Sequence, residues 1–147
     1  MTGWWVLGAS LIATFLVAFA ARAVNGRFRS TGSDGVPAID DVADRDRFDI
    51  EVLGRSLGDR ATLVQFSSAF CQPCRATRAV LAQVTEIVPG VEVVEVDAEA
   101  HLELVRQWNV LRTPTVFVLD SSGRLVRRAS GAPSRDQVLA AVAEAVD

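Results

Sequence analysis

Apolar and polar positions follow three different rhythms along the chain. From Gly3 to Ala21 no residue is charged. A helix of that length spans roughly 28 Å, close to the thickness of bilayer hydrocarbon. Trp4 and Trp5 stand at one end, where an interfacial aromatic belt would lie, and Arg22, Arg27 and Arg29 follow the other. The pattern predicts a transmembrane anchor over residues 1–24. The competing reading is a cleaved signal peptide, since Ala18-Phe19-Ala20 and Ala21-Arg22-Ala23 resemble small-residue cleavage sites. Met1-Thr2 supplies no basic side chain ahead of the apolar run, which favours the anchor. Positive charge follows the span and none precedes it, so the positive-inside rule puts the rest of the chain in the cytoplasm. An extracytoplasmic domain is the alternative.

Residues 25–44 turn polar and turn-rich, as in Arg29-Ser-Thr-Gly-Ser-Asp-Gly-Val-Pro37, and are expected to be a flexible tether. Over residues 45–147 the periods alternate. Phe48–Val52 reads as a first strand, Leu53–Leu57 as a short helical turn, and Thr62–Phe66 as a buried strand. After Cys71, Val80, Leu81, Val84, Ile87 and Val88 form the stripe of an amphipathic helix, halted by Pro89-Gly90. Val91–Val96 is strand-like; Leu102, Val105 and Trp108 mark a second helix. Thr115–Leu119 and Leu125–Ala129 read as strands joined by a turn at Asp120–Gly123. Ser134 and Gln137 have capping-box spacing before a helix carrying Val138, Leu139, Val142 and Val146. Alternation ending in a hairpin implies an α/β fold, a mixed sheet with helices on both faces.

Composition narrows the chemistry. Half of the 147 residues are hydrophobic and 22% are charged, so a disordered or low-complexity chain is excluded. A net charge of −3 with both signs interspersed leaves no nucleic-acid footprint. All 15 basic residues are arginine, which removes a lysine nucleophile. Cys71 and Cys74 are the two cysteines and His101 the one histidine, too few for a disulfide-stapled scaffold or a Cys-rich zinc module. As half of a zinc site, the cysteines would need His101 and carboxylates as further ligands. His101 itself reads as an ordinary helix residue, Trp108 as core, and Glu92, Glu95 and Glu99 as the solvated side of a strand and its exit.

Cys71-Gln72-Pro73-Cys74 follows a predicted strand and opens a predicted helix. A thiol there faces unpaired backbone N–H groups and the positive end of the helix dipole, which favour thiolate over thiol. The spacing lets Cys74, one turn on, attack a mixed disulfide formed at Cys71. Pro73 is tolerated because the first turn requires no internal N–H bond, and Arg75 adds a nearby positive charge.

Thr62 to Cys74, followed by Thr113-Pro114-Thr115, resembles the thioredoxin family, and the likeness covers roughly Asp46 to Val146. It implies a thioredoxin-like fold in which Cys71 is the nucleophile and Cys74 the resolving thiol. Pro114 would be cis and pack beside the disulfide, Thr113 would present backbone to substrate, and Gly131 would leave room at the site. Phe70, Gln72 and Pro73 complete the implied substrate-binding surface. The chain departs from the family at four places. Gln65 stands where a buried Asp relays a proton to the resolving cysteine, and Val93 where a lysine often accompanies it. Phe70 replaces Trp, and Gln-Pro replaces Gly-Pro between the cysteines.

The expected activity is thiol–disulfide oxidoreduction with no metal or organic cofactor. Its partners would be disulfide-containing proteins and an external electron donor. An exported reductant for apocytochrome or other extracytoplasmic thiols is one alternative. A membrane-tethered binding module on the same fold, with a structural disulfide, is another.

Overall fold

A computed structural model describes residues 3–24, 28–30 and 47–146, with side chains at 10–20 and 47–146. Its elements in chain order are helix α1 (Gly3–Val24), strand β1 (Phe28–Ser30) and a 3-10 turn (Glu51–Leu53). Then come β2 (Ala61–Ser67), α2 (Gln72–Ile87), β3 (Val91–Asp97) and α3 (Leu102–Gln107), followed by β4 (Thr115–Asp120), β5 (Leu125–Ser130) and α4 (Arg135–Val146). On α1 the described side chains are all exposed. Among the described residues no helix is long and apolar enough to cross a membrane. The anchor expected over residues 1–24 is not shown by this helix.

The five strands form one sheet in the order β1-β5-β4-β2-β3. Only β2 and β3 are parallel; β2–β4, β4–β5 and β1–β5 are antiparallel. The parallel pair requires a crossover, which α2 supplies. One face of the sheet, with Ala61, Leu63, Val116 and Val118, packs against Leu81 and Val84 of α2 and Val138, Ala141 and Val142 of α4. The other face buries Val64, Phe66, Phe117 and Leu119 with Leu104, Trp108 and Phe48. Covered on both sides, β2 is buried at every residue, as its compact apolar run predicts. The expectation of a mixed sheet flanked by helices holds.

Two N-terminal readings change. Phe48–Val52 is not a strand. Phe48 and Ile50 point inward as alternation requires, and Arg47 forms an isolated bridge with Arg124. Phe48 N–H donates to Gly123 O at 2.8 Å, but the chain then curls through the 3-10 turn to Gly54, at φ 63°. A strand appears instead inside the expected tether: Phe28–Ser30 pairs with β5, Phe28 opposite Ala129 and Ser30 opposite Arg127. The remainder of the tether, residues 25–27 and 31–44, lies outside the described residues. The capping box is formed, with Ser134 N–H donating to Gln137 Oε1 (2.9 Å) and Gln137 N–H to Ser134 Oγ (3.3 Å).

Candidate active site

β2 ends at Ser67, and after the turn residues 68–70 the chain enters α2 with Cys71 as its N-cap and Pro73 in the first turn. Cys71 and Cys74 are joined by a disulfide, their Cα atoms 5.2 Å apart. They are not equivalent. Cys71 is half-buried, whereas Cys74 is 1% exposed. Cys71 Sγ accepts the Cys74 backbone N–H at 3.1 Å, the bond by which an N-cap satisfies a free helix donor. That donor points at the sulfur on which a thiolate would be held.

The other residues named from sequence gather at the same end of the sheet. The Thr113–Pro114 peptide bond is cis, and Pro114 is buried with Thr113 half-buried. Phe66 lies opposite Thr115 in the β2–β4 register. Ser68 Oγ and Thr113 Oγ1 share a hydrogen bond of 3.1 Å, which ties the turn before Cys71 to the residue before Pro114. Gly131 N–H donates to Pro114 O at 2.7 Å, and Gly131 has φ 100°, a conformation costly for other residues. Gln72 and Pro73 are exposed, and Phe70 is 99% exposed. The approach to Pro114 is braced by Arg128, which donates to Trp108 O (3.0 Å) and Asn109 O (2.6 Å). Its guanidinium lies 5.1 Å from the Phe117 ring centre, and burial lowers its pKa.

Behind the disulfide the environment is polar, with no buried acid among the described residues. Gln65, 1% exposed, donates from Nε2 to Cys74 O at 3.0 Å. Gln65 Oε1 and Thr77 Oγ1, both buried, have no hydrogen-bond partner. Glu95 faces Gln65 in the β2–β3 register. Glu95 is exposed, as the sequence suggests, and it is also engaged: Arg78 of α2 pairs with its carboxylate, and Ser67 Oγ donates to it at 2.6 Å. Arg78 above all, with Ser67 beside it, holds the Glu95 carboxyl below the usual range against the opposing effect of burial. Sequence reading missed this pair because its members sit on different elements, and only the α2–β3 packing brings them together. His101 is the N-cap of α3, its Nδ1 3.1 Å from Asp97 O. Trp108 is core, 7% exposed and stacked on Phe48 at 5.0 Å.

Among the described residues, grooves of about 590, 890 and 360 Å³ lie along Phe48–Leu57, along β3 and beside Asp120 and Glu144, and none of these three is lined by Cys71, Cys74 or Pro114. Among the described residues no cluster of His, Cys, Asp or Glu could hold a metal ion.

Comparison with known proteins points the same way. The family model described as Thioredoxin matches residues 41–144. Thioredoxin H4-1 of Oryza sativa subsp. japonica is 25% identical over 105 residues, covering 70% of this chain and 79% of the relative. A thioredoxin of Alicyclobacillus acidocaldarius is 31% identical over 88 residues, covering 59% and 83%. Among solved structures, a mutant thioredoxin from Halobacterium salinarum NRC-1 superposes with a TM-score of 0.55 at 19% identity, covering 60% of this chain and 77% of that one. Fasciola hepatica thioredoxin does so with a TM-score of 0.52 at 25% identity, covering 59% and 83%.

Proposed function

The chain belongs to the thioredoxin family, and from that premise we propose that it is a membrane-anchored dithiol–disulfide oxidoreductase. The observation that carries the reading is the asymmetry of the pair, a half-buried Cys71 capping α2 and a buried Cys74 bonded to it. In the reduced protein the Cys71 thiolate attacks one sulfur of a substrate disulfide. The Cys71 mixed disulfide forms and the other substrate sulfur leaves as a thiolate. Cys74 then loses its proton and attacks the Cys71 sulfur. The second substrate thiolate departs, and the Cys71–Cys74 bond closes. Two electrons pass from the protein dithiol to the substrate disulfide, and an external dithiol donor restores the reduced pair. The open surface around Phe70, Thr113 and Gly131 suits a protein segment as substrate.

The uncharged run to Ala21 supplies the anchor, and Arg22, Arg27 and Arg29 orient the domain toward the cytoplasm. A reporter active only outside the membrane, fused after Asp147, should stay silent; a strong signal reverses the orientation and favours an exported reductant. Turnover of a protein disulfide with a dithiol donor tests the activity itself. The wild type should turn over and both single Cys→Ser variants should not. Unimpaired partner binding by a doubly substituted protein, with no turnover by the wild type, would favour the binding module.

A further inference from the structure

We propose that the disulfide lies at the membrane-facing pole of the domain and that its substrate is a membrane protein presenting a cysteine pair close to the bilayer surface. The inference rests on the anchor proposed above and deepens it, since a chain direction and a chain length fix which pole faces the lipid. β2 runs toward Cys71, so the antiparallel β4 begins and β5 ends at the disulfide pole, with Thr115 opposite Ser130. β1 is antiparallel to β5 and therefore starts at that same pole, Phe28 pairing with Ala129. The Gly131–Pro114 hydrogen bond closes the remaining step to the site.

Helix α1 ends at Val24 and β1 begins at Phe28. Residues 25–27 can bridge no more than roughly 14 Å between those two Cα atoms, even fully extended. Across the sheet, β1 and β2 are separated by β5 and β4, a lateral distance of about 15 Å at the usual strand spacing. The opposite pole, at Asp59 and Gly90, is a further ~20 Å away along β2. A spanning α1 therefore hands the chain to the domain at the disulfide end.

The chemistry of that pole agrees. Phe70 and Leu111, 99% and 84% exposed, are the most exposed large apolar side chains among those described. They precede Cys71 and Thr113-Pro114 respectively, on the two segments joined by the Ser68–Thr113 hydrogen bond. Arg75 and Arg112, both exposed, flank them, and Arg112 reaches Ser130 O at 3.3 Å. Apolar side chains with arginines beside them suit the interfacial region of an anionic bilayer and a partner segment emerging from it. The electron transfer is the exchange described above, the partner's disulfide being reduced as Cys71–Cys74 closes.

The test uses the full chain in anionic lipid vesicles, first washed with alkaline carbonate. Release by the wash overturns the anchor and this inference together; retention leaves the geometry to be read by energy transfer to a headgroup-labelled lipid. A donor dye on Cys71 in C74S should transfer strongly, and a donor at D59C in C71S/C74S weakly. Equal or reversed efficiencies, with the protein retained, overturn the inference while leaving the anchor intact. Two transmembrane peptides then probe the partner, one with its disulfide at the bilayer surface and one with it held on a rigid helix about 40 Å above. The surface disulfide should be reduced about tenfold faster, through its higher effective concentration at the site. Equal rates, or faster reduction of the raised disulfide, contradict the proposed partner. Strong transfer from Cys71 with no reduction of the surface peptide would instead mean that lipid itself covers the pole, and would overturn it too.

Discussion

Gln65 and Cys74 are held together by one hydrogen bond, from Nε2 to the Cys74 carbonyl at 3.0 Å, while Gln65 Oε1 has no partner. The amide therefore fixes the backbone of Cys74 but cannot accept its thiol proton as a carboxylate would. Gln65→Asp puts an ionisable group beside Cys74 and should speed decay of the mixed disulfide several-fold at neutral pH. It should also cost about 1–3 kcal/mol in stability, because a buried carboxylate is expensive to desolvate. Stopped-flow reduction with formation and decay resolved checks this; an unchanged decay rate in a folded variant shows that the proton never used this position.

Arg78 and Glu95 bridge α2 to β3. Removing the guanidinium in Arg78→Ala should raise the Glu95 pKa toward the ordinary carboxylate value, as a carboxyl-carbon chemical-shift titration would record. The stability cost should stay below about 1 kcal/mol, since both side chains are substantially solvated. Because the folded-state pKa is depressed, what stability the pair gives is present above the unfolded-state value and fades as pH falls through the folded one. No change in the titration would show that Arg78 does not govern Glu95.

Asp120 organises the β4–β5 turn. Its Oδ1 accepts from Ser122 N (2.9 Å), Ser122 Oγ (2.7 Å) and Arg124 N (3.0 Å), and its Oδ2 from Arg124 Nε (3.0 Å). Burial opposes ionisation, yet these bonds leave the carboxyl below its usual pKa. Asp120→Ala should cost about 1–2 kcal/mol at pH 7. In the parent this contribution holds above the unfolded carboxylate pKa and is lost as pH falls through the depressed folded value, so the two proteins should converge in acid. Urea midpoints at neutral and acid pH measure it; a constant gap contradicts the assignment.

The domain was legible where side-chain pattern and local chemistry coincide. The stripe Leu81, Val84 faces the sheet because helical spacing puts both on one side. Cys71 caps α2 because strand, turn and Pro73 leave it nowhere else. Phe48 and Ile50 misled because alternation reports burial, which they have, and not the hydrogen-bond partner that defines a strand. β1 could not be read from its three residues, since nothing but its partner β5 makes Phe28–Ser30 a strand. Glu95 is solvated as its spacing suggests, but its two partners, Ser67 and Arg78, come from other elements and leave no sign in its local sequence. Gln65 is buried beside Cys74, yet its sequence context gave no sign of its bond to the Cys74 carbonyl.

The central claim is that Cys71 is the nucleophile and Cys74 the resolving thiol. The exposure of Cys71 and the N–H bond to its sulfur predict a lower thiol pKa at Cys71 than at buried Cys74. Alkylation rate against pH, measured on Cys71→Ser and Cys74→Ser separately, tests it directly. Cys71 in Cys74→Ser should react faster at neutral pH, with its inflection below that of an ordinary thiol, while Cys74 in Cys71→Ser reacts slowly. Equal rates, or faster reaction at Cys74, would contradict the assignment.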